Sequence, residues 1–317
     1  MAVVETVNGP IDVEQLGRTL IHEHFRAADE ATRFQFPHLY DEQAECDAAI
    51  ADANAVKGHG ITTVVEPSAL FLTRDAAFSK RVADESGLQI VLATGIYTYD
   101  HLPQVLLNRN EDQLADIFVH DIENGIQGTG INAAFIKCAA DEPGITPNVE
   151  KVHRAAARAS NRTGKPIMAH SRPASGTGPE QMRIFAEEGV DPAKVQIAHT
   201  GDSDDLDYIE ALLETGCYIG LDRWGIDVYL PTEPRHRTAI ALLERGYADR
   251  MFIAQDFCSS IDWFPREVQE YLKANEVPDW SMTFLFDDVI PELKERGMTD
   301  EQLDQMMVEN PKAWLGS

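Results

Sequence analysis

Six residues of kinds that bind divalent metals, His22 and His24, Lys137, His170, His199 and Asp256, stand at the downstream ends of short apolar runs spread over the whole chain. Nitrogen and oxygen donors without thiolates suit zinc, cobalt, iron or manganese. Two such ions about 3.5–4 Å apart can hold a hydroxide, polarise a carbonyl or phosphoryl oxygen and stabilise a leaving group, which is hydrolytic chemistry. His22 and His24 are two apart in TLIHEHF, so on a strand both face one side, here a barrel interior; Glu23 faces the helical layer and reads as structural. An HxH pair alone is weak, because imidazoles also serve as hydrogen-bonded core groups. Lys137 is sharper. An ammonium inside the apolar run AAFIKCAA must find a partner or lose its charge. One solution is reaction with carbon dioxide to a carbamate that bridges two metals; the other is pairing with an interior carboxylate. His170, His199 and Asp256 each fit a core role singly, and jointly they place every candidate ligand at strand ends.

Only a fold that gathers strand ends around one mouth unites side chains so far apart in sequence. Eight β-like runs occur in order: 19–25, 61–67, 88–97, 133–140, 165–171, 195–200, 217–222 and 251–256. Each is short and apolar or β-branched, as buried parallel strands are. Amphipathic stretches such as AAFSKRVADES, QLADIFVHDIEN, VEKVHRAAARASNRT and LDYIEALLET separate them. Gly60, Gly87, Gly164, Gly216 and Gly246 stand where left-handed helix ends belong, and Asp75, Asp112 and Asp204 where helices open. The pattern predicts an α/β protein, a (β/α)8 TIM barrel of one domain over residues 1–317, with its chemistry at the C-terminal strand ends. An open doubly wound sheet is the alternative, but no GxGxxG follows the first run. After the last run, Phe257 to Asp279 reads as a long irregular loop over the mouth, with helical patterning returning at SMTFLFDDVIPELKERG.

Acidic residues outnumber basic ones 53 to 27, for a net charge of −26. Such a field repels polyphosphate, so nucleic acid is excluded as a partner and neutral small substrates are favoured. It also suits a high-salt cytoplasm, where the self-repulsion is screened, as well as an ordinary acidic protein. The N-terminus lacks a basic stretch followed by an apolar one, and no run approaches about 18 apolar residues, so the expectation is a cytoplasmic protein without a membrane span. Cys46, Cys138, Cys217 and Cys258 are far apart, form no CxxC and read as buried or free thiols.

The blocks GRTLIHEHF, TGIYTYD, FIKCAADEPGIT, IMAHS, RIFAEEGVDPAKVQIAHTGDSDDLDYI, YIGLDRWGIDVYLP and DDVIPELKERGMTDEQLDQMMVENPKAW run over essentially the full length. In that order they resemble the phosphotriesterase-like lactonases of the amidohydrolase superfamily. The resemblance implies that His22, His24 and Asp256 hold a buried metal, that His170 and His199 hold a more exposed one, and that carbamylated Lys137 bridges both. It further implies that Asp256 shuttles a proton, that Tyr97 and Arg223 act beside the reacting centre, and that Tyr97, Arg223, Cys258 and Trp263 contact substrate. Trp263 would also touch the partner of a homodimer. The implied activity is hydrolysis of N-acyl-homoserine lactones and related γ- and δ-lactones, hence quorum quenching, with promiscuous organophosphate hydrolysis. Two alternatives stand beside it: an organophosphate or carboxyl-ester hydrolase, and a barrel that binds metal without turnover. The chain departs from its relatives at Gln255, where they commonly have His, at Glu66, where they have Asp, in SALFLTRD, which lacks their glycines, and in RPASGTG.

Overall fold

The computed structural model describes residues 2–317. The chain opens with an antiparallel hairpin, β1 (Val3–Thr6) and β2 (Gly9–Asp12), turned at Val7-Asn8 with Gly9 just after the turn at φ 100°. Asn-Gly is the strongest short hairpin signal, yet these strands lie outside the eight expected from the sequence. Those eight follow as β3 (Thr19–Leu20), β4 (Thr63–Glu66), β5 (Gln89–Gly95), β6 (Phe135–Ala139), β7 (Ile167–His170), β8 (Val195–Ala198), β9 (Tyr218–Leu221) and β10 (Met251–Ile253). They lie side by side in chain order, every neighbouring pair parallel. The seam closes past the ends of β3 and β10, where His24 bridges Cys258 and Ala27 bridges Ile261. The architecture is a (β/α)8 barrel of one domain, joined across the seam at its C-terminal rim.

The first run is corrected in length: its ladder covers only Thr19–Leu20, and His22 and His24 lie on the extended chain beyond it. Helices fill the intervals, among them Glu42–Gly58, Ala76–Ser86, Glu111–Glu123, Pro147–Thr163, Thr177–Glu187, Leu206–Leu213 and Thr232–Glu244. Asp75 caps its helix, but Asn110 and Asp205 replace Asp112 and Asp204 as caps, because theirs are the side chains placed to accept from the first-turn amides. Gly87 and Gly164 end helices in the left-handed conformation, and Gly60, Gly216 and Gly246 share its positive φ.

The segment after β10 is not irregular throughout. Pro265 starts a helix, Arg266–Asn275, whose Val268, Tyr271 and Leu272 repeat at helical spacing. The wide turns Leu285–Val289 and Gln305–Glu309 directly precede helices with Pro291 and Pro311 near their starts, where a proline N–H is not available to the ladder. Among the described residues no helix is long and apolar enough to cross a membrane.

A large apolar layer joins strands to helices, and a second cluster fills the lumen with Val65, Val91, Phe135, Met168, Tyr218 and Phe252. Trp314, in the C-terminal helix Asn310–Leu315, closes the lower end, its ring 5.6 Å from Phe135 and 5.9 Å from Phe252 and its Nε1 donating to the Lys194 carbonyl. With the bottom filled, the upper mouth is the end left to a ligand.

Candidate metal centre

All six candidate ligands meet at that mouth. His22 and His24 follow β3, His170 ends β7, His199 follows β8 and Asp256 stands three residues past β10. Lys137 is set deeper than the sequence placed it: it is the third residue of β6, not the strand end, so its long side chain spans the difference. The His22 and His199 rings are 4.9 Å apart and the His170 and His199 rings 4.4 Å. His22, His199 and Asp256 bring three potential donor atoms within 4.8 Å of one another. His199 and Asp256 adopt positive φ, 63° and 50°, a strained backbone for residues other than glycine that is concentrated at functional sites.

Each imidazole is anchored through one nitrogen. Asp222 holds His22 Nδ1 at 3.2 Å and His199 Nδ1 at 2.9 Å; Glu66 and Ser68 hold His24 Nδ1 at 3.0 and 2.8 Å; Asp141 holds His170 Nε2 at 2.6 Å. The second nitrogens of His22, His24 and His199 then face Asp256, and that of His170 lies beside the Tyr97 hydroxyl. Carboxylate-oriented imidazoles of this kind are what metal sites use to fix tautomer and direction. Burial drives His22 and His199 down and His170 to about 4, so these rings are neutral, the ligating form. Burial also pushes His24 down, but Glu66 and Asp256 overcome it and raise its pKa to about 9. A divalent cation would replace that proton between the same carboxylates. The donor set therefore fits a cation pair.

Lys137 is 1% exposed, with His22 Nε2 3.2 Å and Met168 Sδ 3.4 Å from its Nζ. Neither neighbour is a carboxylate, and burial lowers its pKa to about 8. Asp256 Oδ1 lies 3.4 Å from His22 Nε2 and 3.2 Å from His24 Nε2, and Oδ2 lies 3.8 Å from His199 Nε2. Burial works against its charge, but Arg223 and the hydrogen bond with His24 help hold it well below the carboxylate range. Arg223 is buried rather than on the rim: Nε donates to Asp256 Oδ2 at 2.9 Å, Nη1 to Asp202 Oδ2 at 3.0 Å, and its guanidinium lies 4.6 Å from the Tyr229 ring centre. The Tyr97 hydroxyl is 2.6 Å from that of Tyr99 and 3.4 Å from His170 Nδ1.

Above the cluster opens a cavity of about 320 Å³ that His24, Tyr97, Arg223, Asp256, Cys258 and Trp263 all line. Its walls are otherwise mainly apolar, and Phe264, Leu272 and Trp280 bring the segment after β10 to it. Sequence reasoning missed the anchors Asp222, Asp141 and Ser68. Asp222 carried a visible signal, a carboxylate closing the run CYIGLD; Asp141 and Ser68 carried none, since their roles arise from neighbouring strands. The departures have structural partners: Glu66 reaches His24 and the Phe25 amide, and Gln255 ties β10 to Met282 and Leu285.

Fold and cluster together define a barrel hydrolase of the histidine–carboxylate type. The chain belongs to the phosphotriesterase family, whose sequence profile matches residues 2–315. It is 46% identical over 305 residues to an aryldialkylphosphatase of Saccharolobus solfataricus, covering 96% of each chain. It is 42% identical over 320 residues to a phosphotriesterase homology protein of Mycobacterium tuberculosis, covering 98% of this chain and 97% of that one. The solved phosphotriesterase of M. tuberculosis superimposes with a TM-score of 0.94 at 41% identity, over 99% of this chain and 98% of the other.

Proposed function

We propose that the protein is a binuclear metal-dependent lactonase that opens N-acyl-homoserine lactones and related γ- and δ-lactones and acts more weakly on organophosphate triesters. The observation that carries this reading is the convergence of His22, His199 and Asp256 donor atoms within 4.8 Å, with His24, His170 and Lys137 against them, beneath one apolar cavity. His22, His24 and Asp256 would hold the more buried ion and His170 and His199 the more exposed one. Such ions, zinc, cobalt, iron or manganese, supply an acidified water and a polarised ester oxygen.

Lys137 would serve both ions as an N6-carboxylate. Its neutral amine adds to carbon dioxide, the new C–N bond forms and the displaced proton leaves, so a buried cation becomes an anion. Burial that lowers the ammonium pKa to about 8 supports this by raising the share of free amine. Asp256, kept ionised beside Arg223, accepts a proton from the attacking water and returns it to the departing alkoxide. Tyr97 remains a phenol, its pKa raised by burial and by Tyr99, and offers a donor to the ester. Cys258 and Trp263 pack the acyl arm. A neutral, partly apolar substrate fits both this wall and the net charge of −26, which disfavours polyanions.

A homodimer is part of the reading. Phe34, Phe36, Leu39, Trp263, Phe264 and Tyr271 are all exposed, Phe34 at 82%, and Leu39, Trp263 and Phe264 line one groove of about 880 Å³. Exposed apolar surface of this kind marks association sites.

The second reading makes triester hydrolysis the main activity, and the relative named aryldialkylphosphatase favours it. Catalytic efficiencies of metal-quantified protein on a lactone series of increasing acyl length and on a dialkyl aryl phosphate separate the two. Higher kcat/KM on a lactone supports the first; a preference for the phosphate overturns it.

A further inference from the structure

Three successive amides after β10 turn toward the same neighbour. Gln255 N donates to Glu23 Oε1 at 2.8 Å, Asp256 N to the His22 carbonyl at 3.1 Å and Phe257 N to Glu23 Oε2 at 2.8 Å. In an extended strand alternate amides face opposite sides, so three in a row facing one side require a turn. Asp256 supplies it with φ 50°, a conformation that residues other than glycine seldom adopt. The two outer amides close on the carboxyl group of Glu23, whose pKa burial raises well above the usual carboxylate range while these same N–H donors pull it down. Gln255 Nε2 adds a third bond to this carboxyl group, at Oε1 and 3.1 Å, and the Glu23 residue is fully buried.

We propose that Glu23 is a positioning residue: by gripping the amides on both sides of Asp256 it imposes the left-handed turn that aims the Asp256 carboxylate at His22 and His24. It sits between those two histidines in sequence, so one side chain registers the ends of β3 and β10 against each other across the barrel seam. Its three partners are all N–H donors, which leaves no place for an amide nitrogen. The inference rests on the reading of Asp256 as a metal ligand.

The test is zinc affinity, measured by chelator competition, in Glu23→Gln, Asp256→Asn and the double variant, with thermal unfolding alongside. Glu23→Gln is expected to weaken zinc by about 10–100-fold, the usual effect of losing a group that orients a ligand. The double variant should bind no worse than Asp256→Asn alone, because the two residues act as one unit. Unchanged affinity in Glu23→Gln, or losses that add fully in the double variant, would overturn the proposal and leave Glu23 a seam residue only. Unchanged affinity in Asp256→Asn would instead overturn the ligand reading beneath it. Should Glu23→Gln fail to fold, the metal-stripped wild-type protein decides the matter in a crystal. Positive φ at Asp256 without zinc supports Glu23 as the cause, and relaxation to negative φ assigns the turn to the ion and refutes the proposal.

Discussion

Lys137, sealed against His22 and Met168 at the top of a plugged lumen, is the residue on which the proposed chemistry turns. Removing it should remove the ligand that the proposal shares between two ions. Lys137→Ala is expected to lose most bound metal, measured by elemental analysis, and activity on the order of 100-fold, with partial recovery on adding a short carboxylic acid. Full activity without that additive would rule out the carbamate. A second buried residue gives a pH test away from the cluster. His153 is fully buried in the helix Pro147–Thr163, where Nδ1 donates to the Val149 carbonyl and Nε2 accepts from Gln181. Burial lowers its pKa from 6.5 to about 4, against the pull of that carbonyl and Glu150. Between those values the unfolded chain binds a proton that the folded one refuses, so stability falls as pH drops from 6.5 to 4, by about 3 kcal/mol in all. Urea unfolding across this range should show a slope shallower by about one proton in His153→Gln; an identical slope would mean that His153 does not titrate on unfolding.

At the scale of elements, strands β3 to β10 were legible because each is a short apolar run between turn signals, and the side chains gathered at the mouth because all but Lys137 stand at or past the ends of those strands. What escaped depended on fewer or more distant residues. Hairpin β1–β2 offered only Asn8-Gly9, and the helix Arg266–Asn275 only a few apolar positions among charges. Asp141 and Asp222 reach His170 and His199 from the neighbouring strands, and Asp222 reaches His22 two strands away, relations that barrel closure creates and spacing does not show. The missing glycines of SALFLTRD, in contrast, were legible, and the structure gives their consequence. Phe71 and Thr73 adopt φ 75° and 55°, and both amides donate to Glu30 Oε1, at 2.8 and 3.0 Å. Leu72 between them lines the cavity. Glu30→Ala should therefore cost about 1–3 kcal/mol, read as a lower urea midpoint, and raise KM for long-chain lactones as that wall loosens. An unchanged midpoint would show that the strained loop holds itself.

At the scale of the whole molecule the net charge of −26 acts on every surface carboxylate. Raising salt from about 0.1 to 1 M shortens the screening length from about 10 to 3 Å, relieving repulsion among surface carboxylates. The thermal midpoint should rise over that range, and a fall would show that the surface ion pairs outweigh the net field. Charge, fold and cavity all frame the same centre, whose occupancy is the direct question. Anomalous scattering from crystals of protein reconstituted with zinc and bicarbonate addresses it. The expected map has two ions per chain, one among His22, His24 and Asp256 and one beside His170 and His199, with a carboxylate on Lys137 Nζ between them. An empty mouth and an unmodified Lys137, in protein that still hydrolyses lactones, would contradict the binuclear centre.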